Sequence, residues 1–204
     1  MDLIDISRPA HPSTAAWPGD QPFNWSWTAR MGAGAAVNVG AYTASTHHAT
    51  HVDAPLHYTD GGADVTTWPL AAFVGPAEVV KVTDDRIEPS AVAEVRAPRV
   101  LFQTSHSNQP SDVWHDDFPA IAPATIEALA ARGTVLIGTD APSVDPVDSK
   151  TLPAHQALGT HRIPNLENLD LSGVAPGRYR LLAMPLYMPG ADAAPVRAVL
   201  APRE

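Results

Sequence analysis

A cluster of histidines in residues 47–57 is the feature of this sequence that most directly suggests chemistry. The segment reads His-His-Ala-Thr-His-Val-Asp-Ala-Pro-Leu-His, so four of the nine histidines and one aspartate fall within eleven residues. Imidazole nitrogens and carboxylate oxygens are ligands that borderline divalent ions such as Zn²⁺ accept. A divalent metal held by a protein can in turn generate hydroxide near neutral pH. The cluster therefore predicts metal-assisted hydrolysis.

The residues of the cluster are expected to play different roles. His47 and His51 are four residues apart, which brings both imidazoles to one side if the backbone there is helical or tightly turned. Asp53 is the natural bridging candidate of a binuclear site, because the two oxygens of one carboxylate can contact two cations. His57 could be another ligand or a general acid/base, since histidine has a reference pKa of about 6.5. The adjacent His48 is expected to point elsewhere, either exposed or behind the ligands.

Two metal ions would need further donors, and the segment 152–169 supplies His155, His161 and Glu167. The residues alone leave open which of these two histidines binds a metal, and Glu167 could equally be a surface carboxylate. Any metal must be held by His, Asp or Glu, because the chain has no cysteine. Asp140, at the end of a predicted strand, is interpreted as a turn-forming or helix-capping residue rather than a ligand.

Composition narrows the class of protein. A chain of 204 residues with 45% hydrophobic residues and no repeat fits one domain over residues 1–204. The net charge is −9 and the basic residues are scattered, which argues against nucleic acid as a partner. The first ten residues contain no apolar run typical of a signal peptide, and no later segment is long enough to span a membrane. We therefore expect a cytoplasmic protein without a membrane contact.

Short β-branched runs predict a strand-rich fold. Strands are expected near residues 3–7, 37–45, 77–82, 100–103, 134–138, 179–184 and 196–200. A helix is expected over residues 123–132, with Pro123 at its opening and Gly133 just past its end, and a second helix is expected to begin near Leu152 and to carry His155. A helix followed directly by a strand is an α/β unit, but the many other strands argue against a regular alternation. The predicted fold class is a mixed, strand-rich α/β domain.

The histidine cluster also resembles a known signature. Residues 45–58 read Ser-Thr-His-His-Ala-Thr-His-Val-Asp-Ala-Pro-Leu-His-Tyr, similar to the His-x-Gly-Thr-His-x-Asp-x-Pro-x-His signature of the metal-dependent cyclase/hydrolase family. One departure is Ala49, where the family often has Gly. Further segments that resemble the family lie at residues 16–20, 138–150, 152–158 and 190–200, so the resemblance extends over essentially the whole chain.

The resemblance implies a binuclear site in a swivelling β/β/α domain that assembles as a homodimer. It implies two Zn²⁺ per subunit, with Mn²⁺ or Co²⁺ as alternatives. One ion would be held by His47, His51 and Asp53, and the other by Asp53, His155 and Glu167. His57 would be the catalytic acid/base, and Trp17 would form a wall of the substrate pocket. His161 matches no ligand position of the family.

The implied activity is hydrolysis of a small N-formyl aryl amine, such as N-formyl-L-kynurenine, to the free amine and formate. Ring opening of a cyclic aryl amide such as isatin is an alternative that would use the same metal centre. A metal-binding module without turnover is a second alternative, in which His57 would be a surface histidine or an extra ligand. A serine hydrolase is disfavoured, because the chain has no Gly-x-Ser-x-Gly segment.

Overall fold

Strands outnumber helices in the computed structural model, which describes residues 3–202. The strands are β1 (Ile4–Asp5), β2 (Asn24–Ala29), β3 (Val39–Thr43), β4 (His51–Asp53), β5 (Val74–Lys81), β6 (Arg86–Ile87), β7 (Arg99–Gln103), β8 (Ala120–Ile121), β9 (Leu136–Thr139), β10 (Asn165–Glu167), β11 (Gly177–Leu182), β12 (Ala193–Pro195) and β13 (Val199–Pro202). The α-helices are α1 (Pro55–Tyr58), α2 (Pro123–Ala130) and α3 (Pro153–His161).

Nine of these strands pair in one sheet, in the order β1-β13-β11-β5-β7-β9-β10-β4-β12. The central strands β5, β7, β9 and β10 are parallel, whereas the strands on both sides of them pair antiparallel. Strands β2 and β3 form a separate antiparallel hairpin, and β6 and β8 form a short parallel pair. This mixed sheet confirms the predicted strand-rich α/β class.

Both faces of the central parallel strands β7 and β9 are buried. On β7, Leu101 packs into one apolar cluster, while its neighbours Val100 and Phe102 point into a second cluster on the opposite face. Helices α2 and α3 cover that second face with Leu129 and Leu158. Burial on both sides explains why β7 and β9 read as continuous apolar runs and were accessible to sequence-based prediction.

The predicted elements lie where they were expected. Strands β1, β3, β5, β7, β9, β11 and β13 overlap the seven predicted segments, with ends that differ by up to three residues. Helix α2 begins at Pro123 as predicted and ends at Ala130, two residues early, and Gly133 adopts a left-handed φ of 82° after it. Helix α3 is the predicted second helix and carries His155.

Strands β2, β4, β6, β8, β10 and β12 are missing from the sequence-based prediction. Strands β4 and β10 read His-Val-Asp and Asn-Leu-Glu, with one apolar residue between two polar ones. Three residues are too short to reveal an alternation, so these strands exist because their neighbours pair with them. Val52 and Leu166 are fully buried and anchor β4 and β10 in the core.

Two further sequence-based expectations concern membrane spans and the number of domains. No helix within residues 3–202 is long and apolar enough to cross a membrane. The single domain over residues 1–204 stays a prediction, and residues 1, 2, 203 and 204 lie outside the described part.

Candidate metal centre

A turn followed by a short strand positions the histidine cluster. His47 lies in the turn before β4, whereas His51 and Asp53 are on β4 and point to the same face because alternate residues of a strand do so. Ala49 has a left-handed φ of 58°, the conformation that makes the turn. The sequence left open whether residues 47–51 are helical or tightly turned. The structure shows the tight turn, so a helix there is wrong. The left-handed backbone also explains why the related signature often has Gly at this position.

The side chains of this segment converge on one carboxylate. His47 Nδ1 lies 3.0 Å and His51 Nε2 lies 3.2 Å from Asp53 Oδ1. On the other side, His155 Nε2 from helix α3 lies 3.3 Å from Asp53 Oδ2. Each oxygen of Asp53 thus faces a different set of imidazoles, which is the arrangement that a bridging carboxylate requires.

Glu167, on β10, closes the cluster from the neighbouring strand. It is directly opposite His51 in the β4–β10 register, and its carboxylate oxygens lie 3.5 Å from His51 Nε2 and 3.6 Å from His155 Nε2. The exposed fractions of Asp53, His51, His155 and Glu167 are between 0% and 3%. Two of the groups within the described residues that could hold a metal ion are His47 with His51 and Asp53, and Asp53 with His57 and His155.

The hydrogen bonds of the imidazoles define which nitrogens face the centre as acceptors. His51 Nδ1 lies 2.9 Å from the carbonyl oxygen of Ala49, and His155 Nδ1 lies 2.7 Å from Asp145 Oδ2. These oxygens only accept hydrogen bonds, so each Nδ1 must carry the proton. The Nε2 lone pairs of both rings then face carboxylate oxygens, and His51 Nε2 and Asp53 Oδ1 are buried without a hydrogen-bond partner. Such a set of converging acceptors requires a cation between them, and it fits a metal ion well.

In the metal-free protein, protons can take the place of that cation. Burial lowers the pKa of His51, but the nearby carboxylates of Asp53 and Glu167 outweigh it and raise this pKa to about 10. Burial likewise lowers the pKa of His47, and the carboxylates of Asp192 and Asp53 raise it to about 9. Metal binding to such a site must displace protons from the imidazoles.

Asp145 supports the centre from behind and was not singled out in the sequence. Its Oδ1 accepts the backbone N–H of Ala154 at 2.9 Å, and its Oδ2 accepts the backbone N–H of His155 at 3.0 Å as well as the Nδ1 proton. One carboxylate therefore caps helix α3 and orients the imidazole that the helix carries. Asp145 precedes a proline and looks like a turn residue in sequence, which is why it was missed.

Asn165 and Asp192 also contact the cluster without having been predicted. The side-chain amide of Asn165 donates to Asp53 Oδ2 at 2.7 Å and to Glu167 at 3.0 Å, so it holds the two buried carboxylates together. Asp192 Oδ2 lies 3.2 Å from His47 Nε2 and 3.9 Å from His57 Nδ1. Asp192 sits beside β12, a strand that the sequence did not reveal.

The structure separates the remaining histidines. His57, on α1, has a side chain that is 32% exposed, and its ring centroid lies 4.1 Å from that of His47 and 5.6 Å from that of His155. Burial lowers its pKa. His48 is buried away from the centre and stacks on Phe23, and His161 is exposed at the end of α3. Both are outside the donor groups that the described residues form.

Asp140 lies outside the candidate donor groups, and it holds a turn that is distant in sequence instead of its own. Its carboxylate oxygens accept hydrogen bonds from the backbone N–H and the hydroxyl of both Thr104 and Ser107. These bonds hold the turn of residues 105–108, which carries His106 to the wall of the cavity described next.

A cavity of about 780 Å³ opens next to the cluster. His47, His57, His155 and Glu167 line one part of it. Trp17 and Trp114 line another part, with their ring centroids 4.9 Å apart in an edge-to-face arrangement. Trp17 is half-buried and faces this space instead of the apolar core. The arrangement places an aromatic wall beside a candidate metal centre, which suits a small aryl substrate.

Comparison with known proteins agrees with this geometry. The Cyclase family model matches residues 4–146. A kynurenine formamidase from Salinibacter ruber is 52% identical over 98% of this chain and 97% of its own length. A solved structure described as a potential metal-dependent hydrolase with cyclase activity is 29% identical, covers 100% of this chain and 98% of its own, and has a TM-score of 0.85. Isatin hydrolase A from Labrenzia aggregata, at 22% identity, covers 99% of this chain and 94% of its own with a TM-score of 0.83, which shows a shared fold.

The contacts of Asp145 generate a prediction. Replacement Asp145→Asn leaves only one acceptor oxygen where three N–H groups now donate, so His155 is oriented less firmly. We expect Zn²⁺ affinity, measured by competition with a chromogenic chelator, to fall about 10- to 100-fold. Asp148→Asn, an exposed change in the same loop, is the control and should leave affinity unchanged. Equal affinities of the two variants, with intact circular dichroism, would contradict the role of Asp145.

Proposed function

Because this chain belongs to the Cyclase family, we propose that it is a kynurenine formamidase, which hydrolyses N-formyl-L-kynurenine to L-kynurenine and formate. The observation that carries this proposal is the 52% identity to a kynurenine formamidase over nearly the full length of both chains. The family and its relatives make the chain a metal-dependent hydrolase. The buried cluster and the aromatic cavity beside it support the assignment to an aryl amide.

We propose two Zn²⁺ ions as cofactors. His47, His51 and Asp53 would hold one ion, and Asp53, His155 and Glu167 would hold the other. Support comes from the two oxygens of Asp53, which face different imidazoles. When bound, these ions supply Lewis acidity and lower the pKa of water. Mn²⁺ and Co²⁺ accept the same nitrogen and oxygen donors, so metal analysis of the purified protein is part of the test.

His57 is proposed as the catalytic acid/base. It lines the cavity with its ring near those of His47 and His155, and it is more exposed than the other histidines of the 47–57 segment. Because burial lowers its pKa, the neutral imidazole is favoured and can first accept a proton from the attacking water. It can then deliver that proton to the amide nitrogen of the substrate, which makes the aryl amine a better leaving group.

Trp17 is proposed to bind the aryl ring of the substrate. Its edge-to-face contact with Trp114 fixes the indole at the cavity wall. A ring that packs against this wall would be held beside the cluster with its formamide turned toward the histidines. L-Kynurenine and formate, the proposed products, would place the reaction in tryptophan degradation. The cytoplasmic location expected from the sequence stays a prediction.

A direct assay tests the proposed activity. The purified protein should hydrolyse N-formyl-L-kynurenine faster than isatin, lose activity after chelation, and regain it when Zn²⁺ is added back. Release of L-kynurenine and formate would be followed by absorbance and by formate detection. Preference for isatin would move the assignment to ring opening, and activity that survives exhaustive chelation would contradict a metal-dependent mechanism.

Replacement of His57 separates an enzyme from a metal-binding module. His57→Ala should retain the wild-type metal content and lower kcat by about 10²- to 10⁴-fold, the usual contribution of a general acid/base. His161→Ala removes an exposed histidine from the end of α3 and serves as the matched control. Unchanged turnover of His57→Ala would remove His57 from the mechanism, whereas loss of metal would make it a ligand.

We further propose a homodimer, and the β2–β3 hairpin supports it. Two strands alone are marginally stable in water, yet this hairpin pairs with no other strand of residues 3–202. Trp25, Trp27 and Tyr42 on it are exposed by 51%, 47% and 55%. A patch of this kind is typical of a surface that a partner covers.

The double variant Trp25→Ser/Trp27→Ser should therefore be a monomer at concentrations at which the wild type is a dimer. Light scattering coupled to size exclusion measures the mass directly. Leu70→Ser, which removes an exposed apolar side chain from a different part of the chain, should remain a dimer. A dimeric double variant would exclude the hairpin from the interface.

A further inference from the structure

Arg8 is an unpaired cation at the substrate cavity. It is the only Lys or Arg among the cavity-lining residues that the structure describes. Its Nε is buried and has no hydrogen-bond partner, and its guanidinium makes no ion pair with any residue from 3 to 202. Buried donors without partners are rare in native proteins, so this group calls for an explanation.

The backbone of Arg8 is tied to the strands that carry the candidate metal donors. Its N–H donates to Thr50 Oγ1 at 2.7 Å, and that hydroxyl donates to the carbonyl oxygen of Asn168 at 2.6 Å. Thr50 directly precedes His51, and Asn168 directly follows Glu167. The position of Arg8 is thus fixed relative to the centre, and the anchoring contact uses only its main chain.

Within residues 3–202, no carboxylate neutralises this guanidinium by contact. Burial lowers the pKa of Arg8, and the charges of Asp170 and Asp140 raise it from a distance. The oxygens of Asp140 are engaged by Thr104 and Ser107, and Asp170 Oδ1 accepts hydrogen bonds from Ser172. Arginine stays protonated even when partly desolvated, so the positive charge persists in the cavity.

The charge of Arg8 contrasts with the rest of the cavity wall. Apart from the histidines of the cluster, the other charged side chains that line the cavity are the acidic Asp20, Glu167 and Asp192. Glu167 and Asp192 face histidines of the cluster, and Asp20 accepts a hydrogen bond from Ser45. Away from the candidate metal centre, an incoming anion would therefore find one cation free to bind it. The planar guanidinium matches a carboxylate in two parallel hydrogen bonds.

We propose that Arg8 binds the α-carboxylate of the substrate and so makes the enzyme select N-formyl aryl amines that carry a carboxylate. This inference rests on the proposed formamidase activity and specifies its substrate class. Isatin and other neutral aryl amides offer no such anion. Arg8 is then a specificity-determining residue, and it takes no part in breaking the amide bond.

The experiment compares two substrates that differ only in the carboxylate, N-formyl-L-kynurenine and its decarboxylated analogue N-formylkynuramine. Arg8→Gln should lower kcat/KM for the first about 10- to 100-fold, mainly through KM, because a charge-assisted hydrogen bond is lost. It should cause no loss for the second. Arg8→Lys should recover part of the loss. Arg86→Gln, which removes an exposed arginine that does not line the cavity, is the control for a change in net charge.

Binding of the products gives a second measurement that needs no turnover. Calorimetry should show that wild-type protein prefers L-kynurenine to kynuramine and that Arg8→Gln abolishes the preference. Equal losses for both substrates, or an unchanged preference in Arg8→Gln, would overturn the role of Arg8 while leaving the formamidase activity intact. Hydrolysis of neither substrate by wild-type protein would contradict the proposed function, and the calorimetric preference would still decide the role of Arg8.

Discussion

The structure depends on one electrostatic constraint: hydrogen-bond acceptors of imidazoles and carboxylates converge in a buried space and need positive charge between them. Asp53 is fully buried, and the Nε2 atoms of His51 and His155 face its two oxygens while their Nδ1 protons point away. An ionised carboxylate without compensating charge costs several kcal/mol to bury, and Glu167 is a second buried carboxylate beside Asp53. The cluster is therefore stable only around cations. Protonated imidazoles can supply that charge in the metal-free protein, and the two metal ions proposed above would supply it on both sides of Asp53 together.

The mixed sheet holds such a cluster in place by giving each donor strand one apolar anchor. Val52 and Leu166 lie in the core, so the polar residues beside them must emerge on the opposite face of β4 and β10. Burial of one such side chain contributes about 1.5–3 kcal/mol. The small Ala193 of β12 lies opposite Asp53 and leaves room beside the carboxylate. Hydrophobic burial on one face of the sheet thus offsets the electrostatic cost on the other.

The sequence predicted the strands and helices that show an apolar pattern of their own. It also predicted histidine and carboxylate ligands, and the structure brings His51, His155 and Asp53 together. It could not predict β4 and β10, because three-residue strands with one apolar residue are defined by their partners. The left-handed conformation of Ala49 was equally hidden, since alanine gives no signal for it. His155 and His161 are six residues apart on one helix and so point to different sides, which separates them once the helix is known. Asp145 acts through two roles, capping and orientation, that no local pattern announces.

Substrate choice must arise away from the cluster, because opening a cyclic aryl amide and removing a formyl group place the same demands on the reacting centre. The proposed aromatic wall at Trp17 would accept any flat ring, so it would not distinguish these substrates either. The charge of Arg8 does. A neutral ring would cover the guanidinium without pairing it, and a donor left unpaired costs more than a formed hydrogen bond gains. A carboxylate would remove that cost and add a charge-assisted contact, so a single unpaired cation favours one substrate and disfavours the other without touching the bond that breaks.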